Sequence, residues 1–385
     1  MMDLFSDDMR RDPYPMYDQM RRMSPTLRVP TIDAWFLFDY ASVDRALNDP
    51  TAFSSAVPAP ENWFTFSDPP KHSRLRGLIA RAFTPKSISE LESRIRGLSR
   101  RLLDAKEGES EFDLATEYSV PLPMRVIAEM LGVPTEYLPR YKHWSDEILK
   151  LSYSLLRDDA GIASVDAYRS VTQQMREALP QWLDARRAAP RDDLLSRLAH
   201  AEVEGEHLTN DEILGFFQLL LVAGQETTAN LINNAMICFM EHPDQLAKLR
   251  AWPELLPSAI EEVMRYRAPL QWVMRTPVRD IEMNGKTIPA GKLVVPVIGS
   301  ANRDPARFED PERFDIARDP NPHITFGHGI HHCMGAPLAR LESRVALGDL
   351  LSRYRHFEPA SADPWPPRKA LHVHGPASLP LRFGA

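Results

Sequence analysis

Phe326-Gly327-His328-Gly329-Ile330-His331-His332-Cys333-Met334-Gly335 is the stretch on which the reading of this chain turns. A lone cysteine stands among glycines and histidines, and Ala336-Pro337-Leu338 then opens a helical pattern that runs to about Tyr354. A thiol at a helix start meets unpaired backbone N–H groups and the positive end of the helix dipole, so its pKa is expected to fall. The glycines let the backbone lie flat against a large planar ligand. Zinc is the competing reading, because His323, His328, His331, His332 and Cys333 lie close together. Structural zinc takes about four ligands, usually paired Cys or His that wrap the ion, and this spacing does not supply them. The other cysteine, Cys238, falls in a long apolar segment and reads as a buried structural residue.

Upstream, Thr209-x-x-Glu212 forms a capping box before an apolar-rich stretch that continues to about Glu241, where His242-Pro243 stops it. At about 1.5 Å per residue, one helix of roughly 48 Å is expected. Its apolar run from Ile213 to Gly224 is too short for a membrane span and gives way to Gln225-Glu226. Within it, Ala223-Gly224-Gln225-Glu226-Thr227-Thr228 places a glycine, an acid and two threonines where they lower helix propensity and bury polarity. Such a cost points to a function other than stability. A threonine hydroxyl that bonds back to an earlier carbonyl can bend the helix and open space beside it.

Other charged positions gain meaning from their spacing. In Asp68-Pro69-Pro70-x-His72-x-x-x-Arg76, the prolines open a basic helix expected to reach about Phe83, with His72 and Arg76 one turn apart on one face. Glu262 and Arg265 stand three apart on a helix expected from about Pro257 to Arg267. Strands are expected at Thr26 to Val29, Trp35 to Phe38, Trp272 to Thr276, Ile281 to Met283 and Lys292 to Pro296, only near the two ends. The middle, from Ser87 to about His200, is helical with breaks at Gly and Pro.

Together these describe a predominantly α, α+β fold, read as a single domain over residues 1–385 with no obvious linker. A hydrophobic content of 43% supports a large core, and a net charge of −7 with mixed signs excludes a nucleic-acid footprint and a polybasic membrane patch. Met1 to Pro15 lacks the apolar run of a signal peptide or anchor, and two cysteines form no disulfide framework, so a cytoplasmic protein is expected.

The cysteine stretch matches Phe-Gly-x-Gly-x-x-x-Cys-x-Gly at every fixed position, and so resembles the haem-binding loop of the cytochrome P450 family, in its soluble bacterial and archaeal type. The resemblance implies the cytochrome P450 fold, a large helical domain with a small antiparallel β region. It implies haem b (iron protoporphyrin IX) ligated by Cys333, with cofactor contacts from His72, Arg76, Ala223, Arg275, Phe326, His331 and Gly335. Glu226 and Thr227 match the oxygen-activation motif, and Glu262, Arg265 and Arg313 match a buried bracing network. The implied reaction uses O2 and two electrons from a separate ferredoxin or flavodoxin with its reductase to hydroxylate or epoxidise a hydrophobic small molecule. Lys71 and Arg74 are candidate docking charges for that carrier. Substrate is expected to meet Trp63 and Phe64, then Phe216, Leu219, Leu220 and Ala223, then Leu270 to Val273 and Leu371 to Val373. An intact Glu226-Thr227 pair argues against both a peroxide-driven relative and a haem sensor without turnover.

Overall fold

The apolar segment after Thr209 folds as two helices, Asn210–Ala223 and Glu226–Glu241, where its composition suggests one rod. This is seen in a computed structural model that describes residues 6–57, 63–80, 88–156, 158–203, 205–368 and 370–384. The capping box forms as expected: Glu212 N–H donates to Thr209 Oγ1 at 3.2 Å and Thr209 N–H to Glu212 Oε2 at 2.9 Å. The interruption falls at Gly224 and Gln225. There the Thr227 hydroxyl donates to the Ala223 carbonyl at 2.6 Å, drawing on an acceptor of the regular ladder. Gly224 also serves packing, because a Cβ would lie 2.7 Å from Ile127 Cδ1 on the helix Pro121–Leu131.

The second helix is the axis of the core. Every residue from Thr228 to Phe239 is buried, so it has no solvent face. It packs against the helices Leu256–Tyr266 and Ala336–Arg353, the two that carry the paired charges and follow the cysteine loop. Cys238 is fully enclosed here, and burial pushes its thiol up to about 12, which makes it an inert core residue.

The β region is small. Thr26–Val29 and Ala34–Leu37 pair antiparallel around a turn that ends at Asp33 with φ 48°. Leu293–Pro296 adds to Ala34–Leu37 in parallel, the one parallel pair among the described strands. A second sheet departs from the expectation of strands only near the ends. Glu111–Asp113, inside the helical middle, pairs with the C-terminal strand Pro380–Gly384, which also pairs with His356–Pro359. Three residues with one buried side chain, Phe112, carry too little alternation to be read from sequence. Among the described residues no helix is long and apolar enough to cross a membrane. The basic helix runs Lys71–Ala80, and its expected end near Phe83 lies outside the described residues.

Candidate active site

Cys333 lies between a short 3-10 turn, Gly329–His331, and the helix Ala336–Arg353. Its N–H donates to the Phe326 carbonyl at 2.8 Å, which closes the loop. Gly327 and Gly329 have φ of 71° and 65°, where a side chain would be strained. Gly329 also approaches the carbonyl of Leu47 so closely that a Cβ would sit 3.1 Å from it. Protein encloses the sulfur on almost every side, yet Cys333 keeps accessible surface, so it fronts an internal space. Burial raises its pKa, and the N–H groups of Gly335 and Ala336, with the charges of Arg76 and Arg340, offset this only in part. The expected lowering is thus not met, because desolvation outweighs the helix terminus. Phe326 is half-buried under the Arg340 guanidinium, 4.5 Å from its ring centroid.

Four cationic or imidazole side chains gather on one side of the loop. The rings of His72 and His331 are 4.2 Å apart, and all four of their nitrogens are buried without a hydrogen-bond partner. Arg275 is 7% exposed, held in place by backbone pairing with Val294 at 2.8 Å, and its guanidinium donates to the Met274 carbonyl at 2.8 Å. Arg76 donates to the His332 carbonyl at 2.7 Å. Burial first, then the charges of Arg275, His72 and Arg76, press the His331 imidazole down to about 3. Burial likewise lowers Arg275 to about 10, against which Asp68 acts. Two arginines beside two desolvated imidazoles with unmet ring nitrogens form a site built for an anion.

On the helix side, Ala223 is exposed and Thr227 partly so, although they flank the most buried part of the fold. They front internal space as Cys333 does. Glu226 does not. It is 2% exposed, and its Oε1 lies 2.7 Å from Arg368 Nε and accepts from Asn230 Nδ2 at 3.3 Å. The Arg368 contact meets the distance of an ion pair without the alignment of a hydrogen bond. Glu226, Asn230 and Asn234 recur every four residues, and all face the C-terminal turn: Asn234 donates to the His374 carbonyl at 3.0 Å, and Gly375 abuts Asn230. Sequence reasoning missed Arg368, although this polar stripe on an apolar helix signalled that a partner was needed.

The bracing network holds in part. Glu262 and Arg265 are both fully buried and pair through two bonds, at 2.8 and 2.9 Å. Arg313 is not the third member. Its side chain is 65% exposed, and it contributes only its carbonyl, which accepts from Arg265 at 3.0 Å. Arg318 Nε, at 3.2 Å, and Asn321 Nδ2, at 3.1 Å, bind Glu262 instead, because the turn after Phe314 folds back over the helix. The neighbouring Glu261 binds Arg340 through bonds of 2.7 and 2.8 Å, which ties this helix to the one after Cys333. Burial alone would raise the Glu261 carboxyl, but Arg340 and His323 hold it at about 2.

A cytochrome P450 family profile matches residues 24–251 and 254–379. The chain belongs to the cytochrome P450 family. Cytochrome P450 109 of Bacillus spizizenii is 38% identical over 394 residues, covering 100% of this chain and 95% of its own. The P450 monooxygenase PikC of Streptomyces venezuelae is 40% identical over 365 residues, covering 90% and 85%. The crystal structure of CYP109E1 from Bacillus megaterium in complex with testosterone superposes with a TM-score of 0.93 at 37% identity, covering 99% of this chain and 100% of that one. This P450 is therefore an oxidoreductase with haem b as cofactor, a monooxygenase that incorporates one oxygen atom from O2 into a small molecule with electrons from a redox partner. Its own residues fit that group: an enclosed but accessible thiol, and beside it a cation cluster that lacks the anions two propionates would bring.

Other expectations are revised. Arg74 is spent within the chain, paired with Glu212 and, at 3.6 Å, with Glu206. Trp272 and Leu371 turn into the core that holds Tyr14 and Phe36, whereas Leu270 pairs with Val373 across a β-bridge.

Proposed function

We propose that Cys333 would hold the haem iron through its sulfur and that His72, Arg76, Arg275 and His331 would bind the propionates. The observation that carries this reading is the set of unpartnered, buried imidazole nitrogens of His72 and His331 beside the cysteine loop. Ala223, Phe326 and Gly335 bound the haem, and the chain acts as one haem domain over residues 1–385. When bound, the haem iron supplies the redox chemistry that activates O2, and the thiolate donates electron density to it. Thr227, anchored to the Ala223 carbonyl, orders water where O2 binds. Glu226 carries the proton, and for this it must part from Arg368.

The substrate is a hydrophobic small molecule, hydroxylated or epoxidised beside Ala223 and Thr227. The testosterone held by the Bacillus megaterium relative supports a rigid polycyclic class. A separate ferredoxin or flavodoxin with its reductase delivers the electrons, and the enzyme works in the cytoplasm. Thr227→Ala tests the reading: haem content and substrate-induced spin shift should be retained while reducing equivalents are diverted to peroxide. Tight coupling of electrons to product in that variant would remove Thr227 from its role.

A further inference from the structure

Gln218 sits on the apolar helix Asn210–Ala223 and is 1% exposed. A buried amide must place both its oxygen and its nitrogen, and this one does so on two other segments of the chain. The Trp63 indole donates to Gln218 Oε1 at 3.0 Å, and the Tyr168 hydroxyl donates to the same oxygen at 3.2 Å. Gln218 Nε2 donates to Thr172 Oγ1 at 2.9 Å. An indole N–H can only donate, so it fixes which way the amide faces. Tyr168 and Thr172 lie one turn apart on the helix Asp159–Ala188, while Trp63 leads into the aromatic turn Phe64–Phe66.

That turn forms a wall of the site. Trp63 stacks on Phe66 at 5.8 Å, and the Phe64 ring lies 6.1 Å from His72 and 6.3 Å from Phe216. It therefore reaches from the cation cluster to the helix that ends at Ala223. We infer that Gln218 is a specificity-determining residue: it holds the aromatic turn and the helix Asp159–Ala188 together over the cavity, and so sets the size of molecule that enters freely. The inference rests on the reading of this cavity as the site of a hydrophobic substrate. A leucine would suit the apolar helix at lower cost, since a buried amide is tolerated only when fully bonded. Closed, every polar atom of the hub is satisfied by protein, and open, each is satisfied by water. A half-open hub meets neither condition, so bulky molecules must wait for full opening while small ones pass.

The test uses the holoenzyme and two nitrogenous haem ligands, imidazole and the bulky apolar clotrimazole, with association followed by the shift of the haem absorption band. Thr172→Val and Tyr168→Phe each remove one hub bond and preserve shape. Each should accelerate clotrimazole association by roughly fivefold, the worth of one neutral hydrogen bond, and leave imidazole within about twofold. Gln218→Leu should exceed either single change. An unchanged clotrimazole rate in both conservative variants, or an equal rise for imidazole, overturns the role of Gln218. Binding of imidazole without any binding of clotrimazole to the parent or the variants overturns the hydrophobic cavity itself.

Discussion

Replacing Arg368 by methionine should destabilise the protein by about 3–5 kcal/mol, because it strips a buried carboxylate of its counter-charge. Glu226 is 2% exposed, and after the change its only remaining partner among the described bonds is Asn230, at 3.3 Å. One neutral amide does not replace a guanidinium 2.7 Å away. The pair is chiefly Coulombic, since Arg368 Nε lacks hydrogen-bond alignment, so Arg368→Lys should restore most of the stability with a point charge. In the double variant Glu226→Gln, Arg368→Met the stranded charge is gone, and a coupling energy of at least about 2 kcal/mol is expected. Urea unfolding followed by circular dichroism at neutral pH measures all five proteins, the single variant Glu226→Gln that closes the cycle included. The reasoning fails if Arg368→Met stays within about 0.5 kcal/mol of the parent, or if the double variant is no more stable than the single one.

Two further predictions concern stability. Burial holds the Glu342 carboxyl well above its ordinary pKa, so the native state keeps a proton that the unfolded chain releases above a pH of about 4.3. Stability should then fall by up to about 1.4 kcal/mol per pH unit above that value until Glu342 ionises, and Glu342→Gln should remove the loss. Its advantage over the parent should be large at pH 8 and small at pH 5, and an equal difference at both would contradict the burial argument. Arg318→Met removes a part-buried bond to Glu262 and should cost about 2–3 kcal/mol, whereas Arg313→Met should be neutral within about 0.5 kcal/mol. Thermal midpoints of the two proteins decide it, and equal losses would return Arg313 to the network.

Local patterns carried the reading of the cysteine loop, the capping box and the paired Glu262 and Arg265, because each is set by a few adjacent residues. What escaped sequence reasoning depends on distant chain. Arg368 meets Glu226 only because the C-terminal turn packs on the core helix. Arg313 and Arg318 are both arginines near Phe314, and only the path of the turn decides which one reaches Glu262. The break at Gly224 hides in an otherwise helical composition, and the lowered thiol pKa expected of Cys333 lost to a burial that no spacing reveals. Strand Glu111–Asp113 exists through a partner some 270 residues away, as the pairing of Glu111 with Arg382 shows.

The most direct measurement on Cys333 is the carbon-monoxide spectrum of the reduced holoenzyme in Cys333→Ala, with Cys238→Ala as control. Cys333→Ala should lose the red-shifted absorption of a thiolate-bound haem while Cys238→Ala keeps it. An unchanged spectrum in Cys333→Ala would contradict the assignment of the ligand.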